Sequence, residues 1–136
     1  MVQLRKKSRD SVYKLVYEYL FLGVENSKTL AIMTSSDLPM SEVDYITTVY
    51  KGVISKYEEL KEIVAEYARG FDVERVYKLD LAALLLAIYE MKYMPDIPLG
   101  TSIAEAVELV KLYSTEKSYS FVNGILSSVY KSLTNK

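Results

Sequence analysis

Apolar side chains recur along this chain at intervals of three and four rather than two, the spacing that lines one face of a helix. Only five glycines and three prolines interrupt it, so the pattern predicts an all-α fold. The first helix is expected over about 5–22, with Val12, Leu15, Val16, Tyr19 and Leu20 as its buried stripe and Gly23 and Asn26 as its stop. A short helix over 27–34 precedes the break Ser35-Ser36-Asp37-Leu38-Pro39. Ser41 then reads as the N-cap of one long segment, in which Val43, Ile46, Val49, Tyr50, Val53, Ile54, Tyr57, Leu60, Ile63, Val64 and Tyr67 keep helical spacing. Gly52 inside it costs about 1 kcal/mol against alanine, which points to a bend or a close helix contact. Gly70 ends the segment.

A short turn of helix over 72–77 leads to Asp80, which reads as the cap of a strongly apolar helix running to about Tyr93. The unbroken run from Leu81 to Tyr89 covers every face, so this helix is expected at the centre of the fold or partly covered by another chain. At nine residues the run is about half of what a bilayer span needs. Pro95 and Pro98 close a loop, and Ser102 with Glu105 has the spacing of a capping box for a helix to about Tyr113, with Ile103, Ala106, Val107 and Val110 as its stripe. A last helix starts between Thr115 and Ser118 and runs to about Leu133, burying Val122, Ile125, Leu126, Val129 and Leu133. About seven helices result, and no repeat, low-complexity tract or linker divides the expected single domain over 1–136.

Half of the 136 residues are apolar, enough for a substantial core. The absence of Cys and His excludes disulfides, thiolate nucleophiles, Cys/His zinc sites, Ser-His-Asp triads and imidazole acid/base chemistry. Carboxylate pairs such as Glu58 with Glu59 and Glu105 with Glu108 remain. They lie in amphipathic helices beside lysines, with no second ligand cluster and no Gly-rich phosphate loop, and read as solvated faces. No catalytic site, metal or cofactor is expected. Asp10, Lys14 and Glu18 interrupt the apolar pattern after the basic start, so no secretory segment is expected there and the location is read as cytoplasmic.

The net charge of −1 hides an uneven distribution: Arg5, Lys6, Lys7 and Arg9 stand among residues 1–9 with no acid, leaving −5 on the remainder. On a helix, Arg9, Tyr13 and Tyr17 fall at successive i, i+4 positions. Cations beside rings suit a single-stranded nucleic acid, whose phosphates take the charge and whose bases stack for about 1 to 3 kcal/mol each. The plainer reading is a solubilising start with tyrosines at the edge of the core. Cations at a helix N-terminus oppose the macrodipole, so they are not read as stabilising the helix, which shifts weight to binding. The segment from Ser114 to Gly124 sets hydroxyls and free N–H groups at a helix start, where a phosphate can be held; ordinary capping with Phe121 in the core is the alternative.

Several separated segments resemble the NusB family of bacterial transcription antitermination factors: Leu79-Asp80, Ala87-Ile88-Tyr89-Glu90-Met91, Ile97-Pro98, Ile103 to Lys111, and Phe121-Val122-Asn123-Gly124-Ile125-Leu126. Arg5-Lys6-Lys7-Ser8-Arg9-Asp10 and Tyr17 match the family's arginine-rich helix start, so the similarity runs over nearly the whole chain. It implies an all-α fold of two helical subdomains that binds the single-stranded boxA element of nascent ribosomal RNA, with the small-subunit ribosomal protein NusE as partner. The pair then joins the other Nus factors at RNA polymerase, suppresses premature termination, and catalyses no reaction. Carried over by position, Arg5, Lys6, Lys7 and Arg9 meet phosphates, Tyr17 lines the RNA path, Phe121 stacks near a base and Asp80 matches an acidic position at the protein-partner surface. Lys117, one turn before Phe121, is added as a candidate for the same RNA.

Lys6 and Lys7 replace arginines and lose the bidentate fork. Lys14 stands where glutamine is common, and residues 27–42 match poorly. Leu85 stands where the family often has arginine, which widens an apolar contact or a dimer surface and leaves a homodimer open. If all four cations each neutralise one phosphate, the log–log salt slope is about −3, or roughly a 50-fold loss between 50 and 200 mM. The alternative is a protein-binding or self-associating helical scaffold in which the Leu-rich helix meets another chain.

Overall fold

The computed structural model describes residues 2–35, 37–70 and 72–135, so Ser36 of the expected break lies outside the described residues. Seven α-helices and no strand occur among them: α1 (Val2–Leu22), α2 (Ser27–Thr34), α3 (Met40–Ser55), α4 (Tyr57–Tyr67), α5 (Lys78–Tyr93), α6 (Leu99–Tyr113) and α7 (Glu116–Thr134), with a 3₁₀ turn at Val73–Arg75. The first three helices pack on one another and α4 to α7 do likewise, while α5 also touches α1 and α3 and so sits at the seam. Every residue of α5 from Asp80 to Ile88 is buried, as its all-round apolar character requires. Leu85 is fully buried inside the chain, so it widens no dimer surface, and the Leu-rich helix keeps no apolar face for another chain. No helix among the described residues is long and apolar enough to cross a membrane.

The expected third segment is two helices. Lys56 leaves the helical region at φ −104° and ψ 16°, and the chain restarts at Tyr57. A continuous helix over 40–67 would extend about 42 Å and carry Leu60 and Val64 beyond the core. The break instead lets α3 pack on α1 and α5 while α4 packs on α5 and α7. Gly52 marks a close helix contact: a methyl group there runs into the Tyr89 ring on α5. Gly52→Ala is therefore expected to destabilise the protein by about 1 to 2 kcal/mol in urea, because overpacking outweighs alanine's better helix propensity. A variant as stable as the parent would mean that the Tyr89 ring swings aside.

Three helix starts lie earlier than the polar spacing predicts. α3 and α6 begin directly after Pro39 and Pro98, whose φ of −56° and −58° is already near helical. Ser41 and the pair Ser102–Glu105 are thereby inside helices and do not cap them. α5 begins after Tyr77, which places Asp80 in its first turn rather than at the cap. Thr115 does cap α7, in a reciprocal arrangement with Ser118.

Candidate nucleic-acid interface

The basic start of α1 is not a row of free cations. Arg9 lies three residues before Val12 and seven before Val16, in line with the buried stripe, and it is only 5% exposed. Its Nε donates to Glu90 Oε2 at 2.8 Å, and its Nη1 lies 3.7 Å from Glu105 Oε1. Glu90, fully buried on α5, also accepts from the Tyr45 hydroxyl and from Ser102 Oγ at 2.7 Å. Burial alone lowers the Arg9 pKa, but Tyr45, Glu90 and Glu105 outweigh it and hold the guanidinium above its usual value. Burial, then the Glu90 charge, pushes the Tyr45 phenol far up, so it stays a neutral donor. Arg9 is therefore not the surface phosphate contact expected of it; it is the counter-ion of a buried carboxylate.

Arg5 forms a two-pronged pair with Glu42 of α3, at 2.9 and 3.2 Å, and lies 4.2 Å from the Tyr45 ring centre. Ser8 adds a third donor to Glu42 at 2.8 Å. The hydrogen bond from Arg5 is the largest of the effects that hold the Glu42 carboxyl below its ordinary value. Lys6 bonds to Glu105 of α6 at 2.9 Å and has Glu108 at 3.9 Å. Lys7 is exposed and has no ion-pair partner among the described residues. Lys6, Lys7, Lys111, Glu105 and Glu108 line a groove of about 640 Å³ between α1 and α6.

At the other end, Asp80 is 3% exposed and accepts from Ser114 Oγ at 2.6 Å and Ser118 Oγ at 2.8 Å. The hydroxyls read as a phosphate cradle are thus committed to an anion, which repels phosphate, and to capping. Asp80 offers no exposed charge; it fastens the start of α5 to the α6–α7 corner. Beside it, Lys117 and the half-buried Phe121 line a cavity of about 420 Å³ with Arg75 and Tyr77. A neighbouring cavity of about 390 Å³ is lined by Tyr17, Tyr77, Lys78 and Tyr113. The two share Tyr77 and Thr115; between them and the groove, the Tyr113 hydroxyl donates to Asp10, on the groove wall, at 2.6 Å. The groove thus offers Lys6, Lys7 and Lys111, and the two cavities beyond Tyr113 combine rings (Tyr17, Tyr77, Phe121) with cations (Arg75, Lys78, Lys117).

Glu90, Tyr45 and Glu42 were not singled out as site residues, and Ser102 was read only as a helix cap. One signal was present: Glu90, like Asp80, is an acid on an otherwise apolar buried helix, which demands a partner. No cluster of three or more His, Cys, Asp or Glu that can hold a metal occurs among the described residues.

The fold and this surface define an all-α protein built for binding. The sequence pattern of the NusB family matches residues 6–131. The transcription antitermination protein NusB of Acetivibrio thermocellus is 40% identical over 128 residues, covering 93% of this chain and 88% of that protein. That of Carboxydothermus hydrogenoformans is 38% identical, covering 92% and 91%. The chain belongs to the NusB family of transcription antitermination factors, which are not enzymes. Among solved structures, NusB of T. maritima superposes with a TM-score of 0.83 at 28% identity, covering 93% of this chain and 90% of that one. A chain from a crystal of antitermination factors NusB and NusE with double-stranded RNA superposes at 0.85 and 24% identity, covering 97% and 99%.

Proposed function

We propose that this chain binds single-stranded boxA-type RNA together with the ribosomal protein NusE, and that the pair acts in the cytoplasm within a Nus-factor complex on RNA polymerase. The observation that carries the reading is a groove holding Lys6 and Lys7 and, across the Tyr113–Asp10 hydrogen bond, two adjoining cavities lined by Tyr17, Lys117 and Phe121. Such a surface suits a strand whose phosphates meet cations while its bases reach aromatic faces. A structural neighbour of the same fold that is bound to NusE and RNA adds support. The RNA in that complex is double-stranded; the preference for a single strand is our own reading and rests on Tyr17 and Phe121. Asp80 serves the partner surface by holding the α6–α7 corner in place.

The test is fluorescence anisotropy with a labelled boxA-like strand, alone and annealed to its complement, with and without NusE. With Arg9 in the core and Lys6 paired to Glu105 and Glu108, Arg5, Lys7 and Lys117 remain, so a salt slope of about −2 is expected, or about a 16-fold loss from 50 to 200 mM. Phe121→Ala is expected to weaken binding by about 1 to 3 kcal/mol if the ring stacks on a base. Affinity indifferent to salt, or a preference for the duplex, would overturn the reading.

A further inference from the structure

Lys6 is 43% exposed on the groove wall, yet the nearest charges it meets are acids of α6. Glu105 is only 18% exposed, and Arg9, itself fixed by Glu90, lies 3.7 Å from it. That carboxylate is therefore held toward Lys6 without having to be ordered each time the pair forms. Lys7, the next residue, has no such restraint among the described residues.

We infer that Glu105 and Glu108 are a built-in competitor for RNA phosphate at Lys6, which holds this cation back from the strand and sets the affinity of the groove. The inference rests on the RNA-binding reading above. A phosphate that approaches Lys6 must displace Glu105, which keeps only Arg9 as a counter-charge, and then sits beside Glu105 and a Glu108 that has lost its cation. Both effects are electrostatic, act within a Debye length, and weaken the bound state. The acids thus make binding selective: a strand that engages only the phosphate site gains little, whereas one that also reaches Tyr17 and Phe121 has stacking to offset the competition.

Glu105→Gln and Glu108→Gln in the full-length chain, titrated with the labelled boxA-like strand, test this. Glu105→Gln is expected to tighten binding about 3- to 10-fold at 50 mM salt and to steepen the slope by about 0.7, the signature of one more phosphate neutralised. Glu108→Gln, farther from Lys6 and well exposed, is expected to give a smaller gain in the same direction and leaves the packing around Arg9 untouched. In a Lys6→Ala background both gains are expected to vanish, because the acids act through Lys6. Wild-type protein that binds RNA while both glutamine variants match it, or gains that persist without Lys6, would overturn the inference alone. Absence of binding by wild type and every variant, in protein shown folded by circular dichroism, would overturn the RNA-binding reading with it.

Discussion

Arg9→Ala is expected to lower stability by about 3 to 5 kcal/mol, the usual result of stranding a buried charge. For a chain of this length, that corresponds to a fall in Tm of about 10 to 17 °C. The loss arises at Glu90, which has no solvent exposure and would keep the Tyr45 and Ser102 hydroxyls but no cation. A double variant, Arg9→Met with Glu90→Gln, removes both charges and is expected to recover part of the stability, since the damage lies in the orphaned anion. Thermal and urea unfolding followed by circular dichroism measure both. If Arg9→Ala kept the parental Tm and lost RNA binding instead, Arg9 would return to the surface as a phosphate contact.

Asp80→Ala is expected to be the next most damaging change, at about 2 to 4 kcal/mol. It removes two hydrogen bonds to a charged acceptor and an acid in the first turn of α5, where the macrodipole favours one. Ser114 and Ser118, 34 and 38 residues away in sequence, would lose the group that ties the α6–α7 corner to α5. Asp80→Asn keeps an acceptor and is expected to lose about half as much. Urea denaturation gives the stability, and anisotropy with NusE present gives the binding. A variant with parental stability and selectively lost NusE binding would make Asp80 a direct partner contact, which its burial does not favour.

The buried stripe of α1, the enclosure of α5 and the cap of α7 were legible because each depends on residues near in sequence. Val12, Leu15 and Val16 are wholly buried at the spacing their helix dictates. Ser41 was misread for a local reason, since Pro39 starts the helix ahead of it, whereas Asp80 and the Ser102–Glu105 pair were misread for a distant one. A hydroxyl or carboxylate that suits a helix cap suits a tertiary hydrogen bond equally well, and the partner that decides lies far along the chain. Glu105 meets Lys6 across 99 residues, and Arg9 meets Glu90 across 81. Lys117 and Phe121 were read together, and Tyr17 apart from them with the start of α1. That Tyr77 and Thr115 join their surroundings into one path depends on how α1, α5 and α7 come together, which no local spacing encodes.

Arg5 and Arg9 stand one helical turn apart and are clamped to α3 and α5 respectively. The start of α1 is consequently a stiff rod rather than a frayed, solvated arm, and its exposed lysines are displayed at fixed spacing before any ligand arrives. A strand that docks there has little protein disorder to suppress, so more of its contact energy survives as affinity. The salt links that bury Arg9 and clamp Arg5 thereby make the exposed cations better presented, trading number of charges for pre-organisation.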